Sequence, residues 1–140
     1  MLILAICLMG KITIAQEKEK ITRACLDYVE GFYEGDTAKL IRCLQPNMYK
    51  IGTWKNDKTG QYDPAGQMTY QQALDYAKKI FDKKNFPKSD APKKVEVLDI
   101  LNSIAAAKVT AWWGMDYILL IKKGDEWKIE QVLWEGPLSK

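Results

Sequence analysis

Apolar residues recur at helical spacing near the start of the chain and predict two helices joined by a short turn. Between Ile21 and Phe32 they return every three or four residues, and Glu34-Gly35 then supplies a helix stop signal. Asp36 can cap a second, shorter helix, which Pro46 would halt. With so short a connection, we expect the two helices to run roughly antiparallel.

The remaining pattern predicts one more helix followed by a sheet. Thr69 and Gln72 have the spacing of a capping box, and the apolar positions behind them predict a third helix that reaches about Lys84. Residues 48–55 alternate like a strand, and from Lys94 onward nearly every segment has strand character. Helices followed by strands indicate an α+β domain with an antiparallel sheet.

Two glycine-containing pairs predict how the last three strands are joined. Gly114-Met115 and Gly124-Asp125 each have glycine first, which is the preference of a type II′ hairpin turn. If each loop holds two residues, Trp113 faces Asp116 across the first turn, and Asp116 faces Leu133 across the second. Directly paired residues share one face of a sheet.

This register divides the strands into an inner face and an outer face. The inner face is largely apolar, with Asp116 and Gln131 as polar exceptions, and we expect the helices to cover it. The outer face carries an apolar cluster, and exposed clusters of that size usually meet a partner. We predict that this cluster forms the interface of a homodimer; the alternative is that the N-terminal segment or a loop covers it. Its members are Trp112, Tyr117, Leu119, Val132 and Trp134.

Composition narrows the possible chemistry. The 140 residues suit one domain, and they include no histidine, which removes Ser-His-Asp catalysis and histidine-ligated metal sites. The net charge of +3 is spread along the chain, so we expect no nucleic-acid partner. No cysteine cluster with metal-ligand spacing is present, so we expect no metal, and we also expect no cofactor.

The N-terminal segment has the character of an export signal. The apolar run MLILAICLMG is too short to span a bilayer, and Thr13-Ile14-Ala15 resembles a cleavage site. We predict that residues 1–15 are a signal peptide, that residues 16–140 form the domain, and that the protein is periplasmic or secreted, without stable membrane insertion after the signal is removed. The alternative is a buried N-terminal segment, since no basic region precedes the run and Lys11 interrupts it.

Two cysteines remain after such a cleavage. Cys25 and Cys43 lie at similar heights on the two predicted helices, and an exported chain meets oxidising conditions. We predict a disulfide between them, with two buried free thiols as the alternative.

The chain also resembles a known family. YVEGFYEGDTAKLIRCLQPNMYK, VEVLDI and MDYILLIKKGDEWKIEQVLWE are similar to the family named "Putative lumazine-binding", a branch of the nuclear transport factor 2-like superfamily. The resemblance implies an α+β cone, in which a curved antiparallel sheet of about four to six strands wraps around three helices from the N-terminal half and leaves a pocket. Gln45-Pro46-Asn47 departs from the His-Pro-Asp that is common there, so that imidazole and carboxylate are absent.

Three hypotheses for function follow. The first is a binding module for a small apolar or aromatic molecule, with no assigned catalysis. Its expected pocket residues are Tyr28, Phe32, Tyr49, Trp54, Trp113, Asp116, Ile118, Trp127 and Gln131. The second is an isomerase or dehydratase that uses Asp116 as base and Tyr28 or Tyr49 as hydrogen-bond donor. The third is a dimeric accessory protein.

Asp116 also has a purely structural interpretation. It would then tie the sheet to the helices by pairing with Arg23 or Arg42. Because catalysis would depend on a lone carboxylate, we leave enzymatic activity undecided and favour binding.

Overall fold

Three helices pack on a curved, open, six-stranded sheet in the computed structural model, which describes residues 13–138. This is the α+β cone that the sequence predicts. The helices are α1 (Ile14–Glu34), α2 (Thr37–Cys43) and α3 (Tyr70–Lys83). The strands are β1 (Leu44–Lys55), β2 (Tyr62–Thr69), β3 (Lys94–Ile100), β4 (Ile104–Ala111), β5 (Gly114–Lys123) and β6 (Glu126–Gly136).

Three predicted helix ends are confirmed by their caps, whereas α2 ends at Cys43, ahead of the predicted stop at Pro46, which lies in β1. Gly35 ends α1 in the left-handed conformation at φ 67°, where a residue with a Cβ would be strained. The Asp36 side chain accepts hydrogen bonds from the first turn of α2. Thr69 and Gln72 form the expected capping box, and α3 ends at Lys83, one residue before the predicted limit.

The sheet is mixed rather than antiparallel throughout. Its strand order is β2-β1-β6-β5-β4-β3, and β1 pairs with β6 in parallel while the other neighbours are antiparallel. Strand β2 was not predicted, since its sequence YDPAGQMT contains proline and glycine; as an edge strand it can accommodate both. The parallel pair brings the N-terminal half of the chain into the middle of the sheet, where β1 lies beside β6.

The predicted turn between β4 and β5 is wrong. Trp112 and Trp113 form the turn, and Ala111 pairs with Gly114, so Asp116 faces Val109 instead of Trp113. Gly114 has φ 149°, and a Cβ there would lie 1.9 Å from the carbonyl oxygen of Glu135. Glycine is therefore needed for a close approach to β6 and not for the turn itself. The observed partner of each β4 residue lies four positions from the predicted partner. Because four is an even number, the inner face of β4 and β5 is as predicted.

The second hairpin is correct at its turn and wrong beyond it. Lys123 faces Glu126 across Gly124-Asp125, and Gly124 alone of the two has a positive φ, as a type II′ turn requires. A β-bulge then follows, because Leu120 pairs with Ile129 whereas Leu119 pairs with Gln131. The extra residue turns Val132 and Trp134 inward and Gln131 and Leu133 outward, the reverse of the prediction.

The N-terminal predictions lie partly outside the described residues. Residues 1–12 of the expected signal peptide belong to that part, while Thr13 is the N-cap of α1. Within residues 13–138, no helix combines the length and the apolar content that a bilayer crossing requires. Export stays a prediction.

The predicted disulfide is not formed. Cys25 and Cys43 are both free and buried, with 0% and 1% of their surfaces exposed. Burial raises the pKa of the Cys25 thiol to about 12, with a smaller contribution from the nearby Asp116 carboxylate. Burial likewise raises the pKa of Cys43 well above its ordinary value. Both residues therefore act as small apolar side chains of the core.

Burial and the raised pKa predict two inert thiols in the folded protein. Iodoacetamide at neutral pH should leave Cys25 and Cys43 unmodified, because little thiolate forms and the reagent cannot reach it. In denaturant without reductant, both should be alkylated, as peptide mass spectrometry can show. Alkylation in denaturant only after reduction would mean that the pair is bonded.

Candidate functional site

A buried cluster of polar side chains lies where α1, β1 and β5 meet. Asp116, on β5, is completely buried, and its Oδ2 accepts a hydrogen bond of 2.6 Å from the Tyr28 hydroxyl. Its Oδ1 accepts a hydrogen bond of 2.8 Å from the indole N–H of Trp113. Lys50, on β1, donates to the Tyr28 hydroxyl and places its Nζ 3.4 Å from Asp116 Oδ2. We call Tyr28, Lys50 and Asp116 the polar triad.

The triad replaces the predicted tie between Asp116 and an arginine. Arg42 instead binds both carboxylate oxygens of Asp27, at 2.7 and 2.9 Å. Arg23 contacts Asp27 and Glu30. Arg42 therefore joins α2 to α1, and the contacts of Arg23 stay within α1. A lysine on β1, Lys50, is the cation that pairs with Asp116 on β5.

Aromatic rings enclose the ammonium of Lys50. Its Nζ lies 5.0 Å from the ring centre of Tyr28, 5.1 Å from Trp113 and 5.5 Å from Trp134, distances at which a cation is attracted to a ring. Phe32 is the fourth ring, at 5.7 Å. Burial lowers the pKa of Lys50, and the opposing attraction of Asp116 reduces that effect. Burial and the Asp116 charge raise the pKa of Tyr28, which therefore keeps its proton.

Lys50 also lines a large, partly open cavity of about 1050 Å³. Its walls come from α1, β1, β2, α3, the loop between α3 and β3, the Trp112-Trp113 turn and β6. The lining is mainly aromatic and apolar, with Lys50 at the inner wall and Lys88 and Asp90 in the loop. The aromatic members are Phe32, Trp54, Tyr76, Phe86, Trp112, Trp113 and Trp134.

Two local features hold the cavity walls in place. The Tyr33 hydroxyl donates to the carbonyl oxygen of Pro92 and accepts a 2.8 Å hydrogen bond from the backbone N–H of Trp112. It thereby fixes both the loop and the turn to α1. Gly52 leaves space for Trp134, whose indole would lie 2.4 Å from a Cβ at that position.

The structure brings together some of the predicted pocket residues and separates others. Phe32, Trp54 and Trp113 line the cavity, while Tyr28 and Asp116 lie behind Lys50. Ile118 is a buried core residue. Tyr49 and Gln131 lie on the outer face, and Trp127 donates to Glu17, which also binds Lys122, away from this cavity. The ligand-binding role of the lining residues stays a prediction.

The position of Asp116 does not suit a general base acting on a molecule in the cavity. A base must come within hydrogen-bond reach of the proton that it removes. The carboxylate has no exposed surface, and its neighbours are the Tyr28 hydroxyl, the Trp113 indole and the Lys50 ammonium. Lys50 is the member of the triad that borders the cavity.

The predicted outer cluster is also rearranged. Tyr117 and Leu119 are exposed on the outer face, as expected, at 56% and 49%. Trp112 is exposed at the cavity rim, Val132 is buried in the core, and Trp134 lines the cavity. Leu133 takes the outward position that Trp134 was expected to hold.

Sequence reasoning missed Lys50, although the pattern contained a signal for it. Side chains alternate along a strand, so residues an even number apart share a face. Tyr49 and Trp54 are five apart and cannot both point inward on a regular strand, whereas Lys50 and Trp54 can. Choosing Trp54 as the inward residue would have placed a lysine in the pocket.

The sequence matches the family model described as "Putative lumazine-binding" over residues 16–135. The chain belongs to this family. No curated protein matches the sequence significantly.

Solved structures agree with the fold of this family. A nuclear transport factor 2-like protein of unknown function from Shewanella baltica OS155 has a TM-score of 0.68 and 18% identity, covering 91% of this chain and 98% of its own. Another from Silicibacter pomeroyi DSS-3 has a TM-score of 0.64 and 13% identity, covering 87% and 97%. A third, from Methylobacillus flagellatus KT, has a TM-score of 0.64 and 16% identity, covering 89% and 94%. At these identities the likeness concerns the fold.

The triad predicts a distinctive pattern of stability changes. Asp116→Asn keeps an acceptor for only one of the two donors, the Tyr28 hydroxyl and the Trp113 indole, and it leaves the Lys50 charge uncompensated. The free energy of unfolding should therefore fall by about 3–5 kcal/mol. Adding Lys50→Met to this variant removes the stranded charge and should recover much of the loss. Urea unfolding measures both changes.

A surface pair provides the matched control. Asp82→Asn removes an exposed ion pair with Lys78, which should change the free energy of unfolding by less than about 1 kcal/mol. The contradicting result concerns the variant that combines Asp116→Asn with Lys50→Met. If its loss in free energy of unfolding equals the sum of the losses in the two single variants, no charge is stranded in Asp116→Asn.

The loss of stability in Asp116→Asn should depend on pH. Without Asp116, the pKa of Lys50 in the folded state falls further below the ordinary lysine value of 10.5. Between those two pKa values the unfolded chain binds more protons, so the free energy of unfolding rises with pH. The deficit of Asp116→Asn relative to the wild type should therefore shrink between about pH 7 and about pH 10 in urea unfolding. A constant deficit over that range would contradict a buried, titrating Lys50.

Proposed function

We propose that the protein binds a planar, conjugated small molecule in the cavity, with Lys50 as its polar anchor. The observation that carries this proposal is a cavity of about 1050 Å³ with mainly aromatic walls and one buried ammonium at the inner wall. Apolar cavities with a few placed polar groups are typical of small-molecule sites. Aromatic walls favour flat ligands, which can pack face or edge against them.

Lys50 determines which ligand group is favoured at the inner wall. Asp116 and the Tyr28 hydroxyl take up part of the hydrogen-bonding capacity of its ammonium, which has three donors. A carbonyl or similar acceptor on the ligand can use the remaining capacity. Because Asp116 already offsets the charge of Lys50, a neutral acceptor fits the site without adding an unpaired charge.

The family description names a molecule of this class. Lumazine is a flat, bicyclic pteridine whose ring carbonyls are hydrogen-bond acceptors. It is therefore the first probe to test, as a representative of the ligand class.

Lumazine should bind with a change in its fluorescence on titration with the protein. Lys50→Met should weaken binding roughly 10- to 100-fold, since a hydrogen bond to a charged group contributes about 1.5–3 kcal/mol. Trp54→Ala, in the cavity wall, should also weaken it. Tyr62→Ala is the control, because Tyr62 is 44% exposed on β2 and is not a lining residue.

The proposal fails if neither lumazine nor 8-anilino-1-naphthalenesulfonate binds. It also fails if both probes bind Trp54→Ala and Lys50→Met as tightly as the wild type, since the bound molecule would then lie elsewhere.

We propose, second, that the outer face of the sheet forms a homodimer. Tyr117 pairs with Leu133, which pairs with Ile51, so three exposed apolar side chains lie side by side across β5, β6 and β1. Leu119 and Tyr49 both pair with Gln131, one from each neighbouring strand, and they add a second row to this patch. Contiguous apolar surfaces of this kind usually meet a partner.

The dimer would be disrupted by a charge at the centre of the patch. Leu133→Glu should convert a concentration-dependent dimer into a monomer in analytical ultracentrifugation, because association would bury an unpaired carboxylate. Ile41→Glu, at a residue 53% exposed on α2, should leave the dimer intact. A wild-type protein that stays monomeric at every concentration would contradict the proposal.

Export is the third part of the proposal. The apolar run of residues 1–10 supports it, and the family match begins at residue 16, the expected first residue after cleavage.

A further inference from the structure

We infer that Lys50 can capture its ligand covalently, by forming an imine with an aldehyde or ketone group of a planar molecule in the cavity. This inference rests on the binding role proposed above and adds to it the class of reactive group that the site can accept. It is supported by the placement of Lys50, by the surroundings of its amine and by the proton carriers beside it.

The first support is placement. The Lys50 side chain is 8% exposed, and the residue borders the cavity. A carbonyl group on a flat ligand between the aromatic walls would meet the amine at the inner wall. Among the described lysines, Lys50 is the one that is buried as a whole residue. Held geometry of this kind gives an amine a large advantage over a free amine in solution.

The second support is the state of the amine. Imine formation needs the neutral amine, whose lone pair attacks the carbonyl carbon. Burial lowers the pKa of Lys50 and makes that form more accessible, which is how lysines in apolar pockets become nucleophiles. Asp116 acts in the opposite direction, and it also gives the departing proton an acceptor at 3.4 Å.

The third support is the pair of proton carriers. The Tyr28 hydroxyl accepts from Lys50 and donates to Asp116 Oδ2 at 2.6 Å, so the three groups form a continuous route for protons. The pKa of Tyr28 is raised by burial, and the hydroxyl is therefore present as a donor at neutral pH. Tyr28 and Asp116 are positioning and proton-transfer groups in this step, and Lys50 forms the bond.

The step balances without any other reactant. The Nζ–C bond forms as the carbonyl π bond breaks, and the carbonyl oxygen takes a proton that originates from Lys50. A second proton from Nζ reaches the resulting hydroxyl, which leaves as water while the C=N bond forms. The ammonium and the carbonyl compound thus give a protonated imine and water. The charge is unchanged, and Asp116 remains its counterion.

Trapping tests the inference directly. The full-length protein would be incubated with 6-methoxy-2-naphthaldehyde, a flat bicyclic aldehyde, and sodium cyanoborohydride, which reduces an imine to a stable secondary amine by hydride transfer. Peptide mass spectrometry then compares Lys50 with Lys58, an exposed lysine in the β1–β2 connection. We expect Lys50 to be labelled at least about tenfold faster, because its amine is held beside a bound aldehyde.

Two variants refine the test. Lys50→Arg keeps a cation among the rings and should abolish this adduct while leaving the Lys58 rate unchanged. Tyr28→Phe keeps the ring and removes the proton carrier, so it should slow labelling of Lys50 severalfold. The comparison of two lysines within the wild-type protein needs neither variant to fold.

The outcomes separate this inference from the proposed function. Equal labelling of Lys50 and Lys58 in a protein that binds lumazine would overturn imine formation and leave the binding role standing. Equal labelling in a protein that binds no probe would overturn both. Preferential labelling of Lys50 supports the inference, whether or not lumazine itself is a ligand.

Discussion

The buried contact between Lys50 and the Asp116–Tyr28 pair is the interaction on which the site depends. It joins α1, β1 and β5 at one point, and none of its three members is more than 7% exposed. An ammonium in such a place needs a counterion, because an isolated buried charge is very costly. Asp116 supplies that counterion, and Trp113 and Tyr28 satisfy the remaining oxygen contacts. Removing any one of these partners would leave another without compensation.

The triad also decides what the cavity offers to a ligand. The carboxylate that looked most reactive in the sequence is enclosed, and the lysine that it stabilises borders the cavity instead. Aromatic rings then surround the ammonium, so a bound molecule meets an apolar, aromatic interior with a single donor group. On the proposed function, that combination selects flat molecules that carry an acceptor, and on the further inference the amine reacts when the acceptor is a carbonyl.

Much of the fold could be predicted from the sequence because its signals are local. Caps at Gly35, Asp36 and Thr69 identify helix ends by side chains and dihedral angles within a few residues. The Gly124-Asp125 turn is local in the same way. The parallel pairing of β1 with β6 depends on contacts between residues more than 70 positions apart in the chain, such as Gly52 and Trp134. The local pattern of apolar residues does not indicate this pairing.

The errors in the candidate site come from register. A bulge near Glu130 adds one residue to β6, which exchanges the faces of Val132 and Leu133 and brings Trp134 into the cavity wall. Bulges shift pairing without leaving a clear mark in the alternation of side chains. At Gly114 the glycine was assigned to a turn, whereas it is needed because the backbone of β6 passes too close for a Cβ. Both errors depend on how two strands pair, and the sequence of one strand alone does not show this.

The central claim is that Lys50 is a buried amine that contacts the ligand. It is tested most directly by nuclear magnetic resonance of protein labelled with ¹³C and ¹⁵N at its lysines. Lys50 should titrate below the exposed lysines, and its Nζ resonance should shift when lumazine is added while theirs do not. A Lys50 that titrates together with the exposed lysines and does not respond to lumazine would contradict the account.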